Sequence, residues 1–336
     1  MEKRKVTTLG KYSFIITLPK DWVRMHNINS GDSVYVDILW DGSLNVNPTL
    51  NGQKESKETS MHIHQEEEVN SIIRKVIGCY LNGFSIIYLT SASSFTSKQQ
   101  NAVRQVVKSL YMRILESTSS RITLQTLMDE SLASVVSGIE RMHIITSSMS
   151  QDILKAMREW NVDLAQSVIT LEDDVDQFKF FLLRLLRNSL ENPSLAVKLG
   201  LSMSDCFDYQ LLINRIEYVA DHLTEIAGAI INMKDKYSEI PAQVFTSLIQ
   251  HAELCFHHYD LAVDSFFSGT LDNTNEIIDY KDSFESYDGV KYIHNILHQD
   301  LNLIIQLYMI SDNISKINKF NADIAELTID RSFKRI

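Results

Sequence analysis

The 336-residue chain has little cysteine and no long apolar run. Its three cysteines are odd in number and widely spaced, which argues against a disulfide framework or a cysteine-rich zinc site and is typical of a reducing cytoplasm. A membrane helix needs about 18–20 uncharged apolar residues, and the best runs, such as 301–310, are half that length. No apolar segment follows the basic first residues, so no signal peptide is expected. We therefore expect a cytoplasmic protein without membrane insertion.

Acidic side chains outnumber basic ones, and the imbalance belongs to one part of the chain. The sequence holds 32 basic and 43 acidic residues, a net charge of −11. Residues 1–57 have eight basic and six acidic side chains, whereas residues 58–336 have 24 and 37. Overall acidity disfavours nucleic acid as a partner. This argument does not apply to the first segment, because its net charge is positive. The length suggests two or three domains, at about 100–200 residues per domain.

The first 50 residues have the pattern of short strands around one helix. Apolar runs at 6–9 and 14–18 flank a glycine, and Pro19 suits the start of a helix. Period-two alternation then predicts a third strand, and Asp41-Gly42 is a typical hairpin turn before a fourth. A unit of about 50 residues buries too little apolar surface to fold alone, so we expect it to dimerise and bury more.

Three short motifs mark this segment: Arg4-Lys5-Val6, Ile16-Thr17-Leu18-Pro19-Lys20-Asp21-Trp22-Val23 and Gly31-Asp32. Over residues 3–50 they resemble the swapped-hairpin DNA-binding domains of the AbrB, SpoVT and MazE type. The resemblance implies a homodimer whose basic groups contact DNA; the candidates here are Lys3, Arg4, Lys5, Lys11 and Arg24. Cationic side chains gain affinity for DNA by releasing counterions from the phosphates. On charge alone, a solvated basic surface remains the alternative.

Residues 58–128 are predicted to form a small α/β layer. Strand and helix patterns alternate at 61–64 (strand), 66–81 (helix), 84–90 (strand), 97–115 (helix) and 121–127 (strand). This βαβαβ order predicts helices over one face of a sheet. His62 and His64 share a strand face, but no third ligand is near them in the sequence. Ordinary surface or packed histidines are therefore favoured over a metal site.

From about residue 131 onward, the sequence no longer shows strand patterns. Apolar residues instead recur at helical spacing over long stretches. Six helices are predicted, at 132–159, 163–190, 203–232, 241–268, 272–287 and 291–330. Their apolar seams are typical of antiparallel bundles, and the turn at Pro241 divides them into two triplets. We expect a duplicated three-helix bundle, with repeats at 131–234 and 239–332. The fold class predicted for the whole chain is α+β, mainly α, with domains at 1–50, 58–128 and 131–336.

Two carboxylate pairs stand out on the predicted bundle helices. Glu172 and Asp176 are four residues apart in the second helix, and Glu217 and Asp221 repeat this spacing in the third. Each pair shares one helix face, where like charges cost about 0.2–0.5 kcal/mol. A hard or borderline divalent cation would reverse that repulsion and draw the two helices together. On spacing alone, a solvated acidic face is the more common explanation.

The residues around the second pair carry a further resemblance. The run Arg215-Ile216-Glu217-Tyr218-Val219-Ala220-Asp221-His222, followed by Glu225-Ile226-Ala227, is similar to the signature helix of PhoU-type phosphate-signalling proteins. The resemblance covers residues 131–332. It implies two three-helix bundles whose Glu/Asp-x-x-x-Asp motifs hold iron or another divalent metal, and hence a metal site at Glu172, Asp176, Glu217 and Asp221. Tyr218 departs from the usual arginine at its position.

The second predicted bundle keeps the spacing of this motif but lacks its metal ligands. Ser315 and Lys319 stand where Glu and Asp are expected, and a lysine ammonium would repel a cation. We therefore predict that the second metal cluster is lost. Head and body together resemble archaeal phosphate-uptake regulators. That resemblance implies transcriptional control of phosphate uptake, with components of a phosphate ABC transporter or a sensor kinase as further partners.

Signatures of an enzyme are weak. The sequence has no Gly-rich phosphate loop, no Walker motif and no Gly-x-Ser-x-Gly. Glu140 and His143 form one Glu-x-x-His, whereas a di-iron carboxylate bundle needs two. Four other histidines at metal-ligand spacing are better explained as surface or buried residues; they are His257, His258, His294 and His298. We do not expect an enzyme.

The sequence favours the first of three functions and keeps the other two as alternatives. The first is a dimeric regulator that binds DNA through its head and senses phosphate status through its bundles, where binding shifts how the two heads are held. The second is an interaction protein that inhibits a phosphate transporter or kinase and uses the head only for dimerisation. The third is a metal-dependent oxidoreductase or hydrolase built on the bundle.

Overall fold

A computed structural model of the chain describes residues 3–38, 42–48, 57–285 and 300–335. The chain divides into two compact units, Met1–Glu55 and Ser56–Ile336. The α/β layer and the long helices belong to the same unit, whereas the strands around the first helix form the other. Several positions predicted from the sequence lie outside the described residues; they are Asp41 of the hairpin turn, His294, His298 and the first residues of the helix predicted at 291–330.

The first unit consists of two antiparallel hairpins separated by a short helix. Its elements are β1 (Thr7–Leu9), β2 (Ser13–Ile15), α1 (Lys20–Met25), β3 (Tyr35–Ile38) and β4 (Leu44–Asn47). Thr8 pairs with Phe14 in the first hairpin, and Val36 pairs with Val46 in the second. Gly10 turns the first hairpin at a φ of +66°, a conformation that glycine adopts at little cost. Pro19 lies at the N-cap of α1, one residue before the first helical position where it was expected.

This unit has no fully buried residue among those the structure describes. Eleven large apolar side chains are exposed along its strands and turns: Val6, Leu9, Tyr12, Phe14, Ile15, Ile16, Met25, Tyr35, Val36, Ile38 and Leu44. Tyr12 is 92% exposed and Phe14 is 74% exposed. Exposed apolar side chains in such number are typical of a surface that contacts a partner.

The second unit begins with a two-layer α/β arrangement. Its elements are β5 (Glu58–His62), α2 (Val69–Leu81), β6 (Ile86–Thr90), α3 (Ser97–Ser109), β7 (Met112–Ser117) and β8 (Arg121–Thr126). The sheet order is β5-β6-β8-β7, with β5 and β6 parallel and the other pairs antiparallel. One apolar core joins one face of the sheet to α2 and α3. Both helices also contact the bundle helix α5, described below, so they lie between the sheet and the bundle.

The βαβαβ prediction was wrong at one element. The helix predicted at 97–115 ends at Ser109, and its last residues form the additional strand β7. Leu110 and Ile114 fit a helical spacing, which concealed the break in the sequence pattern. Tyr111 ends the helical path because its backbone is left-handed, with a φ of +48°. The layer is therefore βαβαββ.

Long helices complete the second unit. They are α4 (Val135–Glu159), α5 (Val162–Glu191), α6 (Pro193–Lys198), α7 (Met203–Asn232), α8 (Ala242–Ser268), α9 (Thr274–Glu285) and α10 (Leu301–Ser332). The short α6, which was not predicted, begins at Pro193 and is capped by the side chain of Asn192. The seam predicted for α7 is fully buried from Leu212 to Ile230. Among the described helices, none has the length and apolarity required to cross a membrane.

Candidate functional site

The four carboxylates predicted as a metal site come together between α5 and α7. Fully buried side chains such as Val175 on α5 and Ile216 on α7 pack these helices against each other. Glu172 interacts electrostatically with Asp176, Asp221 and Glu217. We call Glu172, Asp176, Glu217 and Asp221 the carboxylate cluster.

Lys179 lies inside the carboxylate cluster, one helical turn beyond Asp176. Its Nζ donates to Oε1 of Glu217 across the helix interface and lies 3.7 Å from Oδ1 of Asp176. Its side chain is 19% exposed, and that of Glu217 is 8% exposed. The Nζ also lies 5.4 Å from the ring centroid of Phe180.

Burial raises the pKa of every carboxyl group in the cluster. For Glu172, burial and then the charges of Asp176 and Asp221 raise the pKa to about 7. Burial is also the main reason that the pKa values of Asp176, Glu217 and Asp221 are raised, and Lys179 opposes it in each case. Burial acts to lower the pKa of Lys179, but the neighbouring carboxylates outweigh it and raise this pKa. The ammonium group is therefore held in its charged form.

The donor chemistry of the cluster suits a divalent metal, but its arrangement does not. Carboxylate oxygens are ligands for hard and borderline cations. Within the described part of the chain, however, no group of three or more His, Cys, Asp or Glu side chains is placed to hold a metal ion. The ammonium of Lys179 lies where a cation would join Glu217 to Asp176. The metal inferred from the PhoU resemblance stays a prediction, and these side chains as arranged do not fit it.

The surface of α10 that contacts α7 differs in composition from the carboxylate cluster. Asp323 on α10 pairs with Arg215 on α7, with 2.8 Å between Oδ2 and Nε. The rings of Tyr218 and His222 lie against Phe320, at centroid distances of 5.3 and 5.6 Å. An ion pair and ring contacts thus join α7 to α10. The predicted loss of a metal at Ser315 and Lys319 is not tested by these contacts and stays a prediction.

The five predicted DNA-binding residues are all exposed in the first unit. Lys3, Arg4 and Lys5 precede β1, Lys11 lies in the turn between β1 and β2, and Arg24 lies in the last turn of α1. They are therefore accessible to a polyanion. Their role in DNA binding stays a prediction.

The histidines singled out by the sequence lie in different places. His62 and His64 are exposed, with ring centroids 5.1 Å apart. His143 on α4 lies 3.8 Å from Asp260 on α8, measured from Nε2 to Oδ1, beside a cavity of about 410 Å³. His258 is buried and 2% exposed. Burial lowers the pKa of His143 and of His258, so both rings are neutral at pH 7.

Comparisons with known proteins agree with this architecture. The family model of the PhoU domain matches residues 139–230. The model of the antidote-toxin recognition protein MazE, a bacterial antitoxin, matches residues 9–48. The crystal structure of PhoU from Pseudomonas aeruginosa is similar, with a TM-score of 0.51 and 15% identity over 58% of this chain and 93% of that chain. A search of curated protein sequences finds no match.

These comparisons confirm the predicted fold class and both resemblances. The α+β, mainly α fold has a MazE-type head and helices shared with PhoU. At 15% identity, the similarity to the solved structure concerns the fold alone. The PhoU match covers α4 to α7 almost completely, which are the helices around the carboxylate cluster.

Proposed function

We propose that this chain, which carries a PhoU domain and a MazE-type head, is a regulator of phosphate homeostasis that binds DNA through its head. The observation that supports the proposal is the presence of both parts in one chain, with opposite charge. The first 24 residues hold six basic and two acidic side chains, whereas the chain after residue 57 holds 24 and 37. The acidic body is repelled by the duplex and leaves the head as the surface for DNA.

The head supplies a basic surface that is open to solvent. Lys11 is placed by a tight hairpin turn, and Arg24 by the end of α1. Each phosphate neutralised by such a group releases counterions, so affinity falls steeply with added salt. Arginine also reads guanine edges in the major groove. In this proposal, Arg4 and Arg24 contribute to the choice of sequence, and the three lysines contribute mainly affinity.

A homodimer is the second part of the proposal. The eleven exposed apolar side chains of the head include both strands of the first hairpin. A second copy of the head would cover them and would supply the core that about 50 residues cannot form alone. Two heads would also bind two DNA half-sites, with a spacing set by the dimer.

The bundles provide the regulatory input in this proposal. A component of a phosphate ABC transporter or of a sensor kinase binds the PhoU domain in the cytoplasm, and this binding shifts how the dimer holds its heads. The protein acts without enzymatic chemistry. No metal at the carboxylate cluster is required for this function.

Binding of labelled phosphate-transport promoter DNA tests the proposal. We would measure affinity by fluorescence anisotropy at several salt concentrations, with the variant Lys3/Arg4/Lys5→Ala. The matched control, Lys155/Arg187/Lys198→Ala, removes two lysines and one arginine from exposed positions on the bundle and α6. If three phosphate contacts are lost, the slope of log K against log salt falls by about 2–3. The control should keep the slope of the wild type.

A second candidate function is favoured by the apolar surface of the head. The same eleven side chains would serve a protein that uses its head only to dimerise and that inhibits a transporter or kinase without DNA. Genome-wide mapping of bound promoters separates the two. Recovery of phosphate-transport promoters supports the regulator, whereas recovery of background DNA alone, with the dimer intact, supports the interaction protein.

A further inference from the structure

The position of Lys179 carries an inference that does not depend on the proposed function. Glu172, Asp176 and Lys179 lie at i, i+4 and i+7 on α5, so one helix face presents two carboxylates and an ammonium to α7. The ammonium reaches across the interface to Glu217. Oε2 of Glu217 is buried and has no hydrogen-bond partner among the described residues. The interface is thus built around a pairing of Lys179 with a nearly fully buried carboxylate.

A lysine and a divalent cation compete for the same carboxylates. An ammonium is a compact positive charge that donates hydrogen bonds, so it can neutralise Glu217 and Asp176 at once. A metal ion bound to these oxygens would lie within a few ångströms of Nζ, where like charges repel strongly. The two cations cannot share the site. Whichever is present supplies the charge that a buried carboxylate requires.

We propose that Lys179 is the permanent counter-cation of the carboxylate cluster and takes the place that a metal would occupy between α5 and α7. The bundle is then joined at this point by a residue of its own chain and folds without a metal. A divalent cation binds at the cluster only when Lys179 is displaced or removed. Replacement of Lys179 by an uncharged residue removes the positive charge that keeps a divalent cation away from these carboxylates.

Manganese binding tests this exclusion directly. Mn²⁺ alone serves as the probe, and the free ion is followed by its electron paramagnetic resonance signal in titrations of the full-length protein. We compare wild type with Lys179→Met, which keeps most of the length of the unbranched side chain, and with Lys155→Met, a control on the exposed face of α4. We expect Lys179→Met to bind Mn²⁺ at least tenfold more tightly than wild type and the control to match wild type. Equal affinity in wild type and Lys179→Met would overturn the inference.

Thermal unfolding gives a second and independent readout. Addition of EDTA should leave the melting temperature of wild type unchanged, and a decrease would contradict a built-in counter-cation. Lys179→Met leaves the carboxylate of Glu217 buried without a counter-charge, so the variant protein can fail to fold without metal. The double variant Lys179→Met/Glu217→Gln removes both charges, and we expect it to melt closer to wild type than either single variant does. A double variant at least as unstable as the sum of the two singles would also overturn the inference.

Discussion

The guanidinium group of Arg184 donates from Nε to Oε1 of Glu130 at 2.6 Å, in the interior between α5 and the α/β layer. It also donates from Nη1 to the backbone oxygens of Tyr80 and Phe84, which lie at and just beyond the end of α2. Arg184 is 2% exposed, and its guanidinium lies 4.7 Å from the ring centroid of Tyr80. Because α5 carries half of the carboxylate cluster, the hydrogen bonds from Arg184 to Tyr80 and Phe84 fasten the α/β layer to the helix that carries the site.

Arg184→Met should destabilise the second unit strongly. The variant leaves Glu130 and two backbone oxygens without their charged partner, and breaking a buried pair in this way costs about 3–5 kcal/mol. Chemical denaturation followed by circular dichroism measures the loss. The control Arg187→Met lies on the exposed side of the same helix and should cost less than about 0.5 kcal/mol. Equal losses for both variants would mean that the buried pair contributes nothing beyond an ordinary surface arginine.

Gly83→Ala should disturb the same interface from the other side. Gly83 has a φ of +82°, and a Cβ atom built on it would overlap Oδ1 of Asn188. Asn188 also donates to Glu130, so the added methyl group must displace a member of the buried network. The control Gly200→Ala has a similar φ of +67° with nothing within 4 Å of the added atom, and should cost only the backbone strain of about 1 kcal/mol. We expect Gly83→Ala to lower the free energy of unfolding, measured in denaturant, by about 1–3 kcal/mol more than Gly200→Ala does. An equal loss in both variants would contradict the clash.

The long helices could be predicted from the sequence because their signal is local and repeated. In α7, Leu212, Ile216 and Val219 recur at alternating spacings of four and three, and all three are fully buried. Over a helix of 30 residues, such a seam outweighs any single ambiguous position. In the α/β layer the elements are short, and the two residues Leu110 and Ile114 were enough to extend a predicted helix across the start of β7.

The partners inside the cluster and the interface could not be predicted in the same way. Lys179 and Glu217 are 38 residues apart, and Arg184 and Glu130 are 54 apart. Only the packing of helices brings each pair together, and the sequence contains no local pattern that pairs them. One signal was available for Lys179, because it follows Glu172 and Asp176 at the next position on the same helix face. A charge of opposite sign at that spacing indicates a neutralised cluster rather than an open metal site.

Phe14→Asp should weaken self-association if the head forms the proposed homodimer. Phe14 is 74% exposed within one chain, and burial of such a side chain contributes about 1.5–3 kcal/mol per copy. Its loss from both copies predicts a dissociation constant at least about a hundredfold higher. Sedimentation equilibrium measures it, with Leu132→Asp as the control because Leu132 is 82% exposed in the second unit. If both variants associate like wild type, the apolar surface of the head does not form the dimer.

His258 predicts an acid sensitivity in the second half of the bundle. The side chain is 2% exposed, and its Nδ1 is buried without a hydrogen-bond partner among the described residues. Burial lowers its pKa from the ordinary value, the nearby His257 lowers it further, and Glu276, 4.0 Å away, opposes both. Because the pKa is lower in the folded state than in the unfolded state, protonation favours unfolding. The contribution of His258 to stability is therefore complete above about pH 6.5 and is lost as the pH falls through the folded-state pKa.

His258→Gln isolates this contribution from the other titrating groups. Glutamine does not titrate, so the stability difference between wild type and the variant should shift in favour of the variant between about pH 7.5 and about pH 5.5. Urea denaturation at each pH measures it. His62→Gln is the control, since it makes the same substitution at an exposed histidine. Parallel stability profiles for wild type and His258→Gln would show that the buried ring is not the source of the acid sensitivity, whereas profiles that converge or cross on acidification assign it to His258.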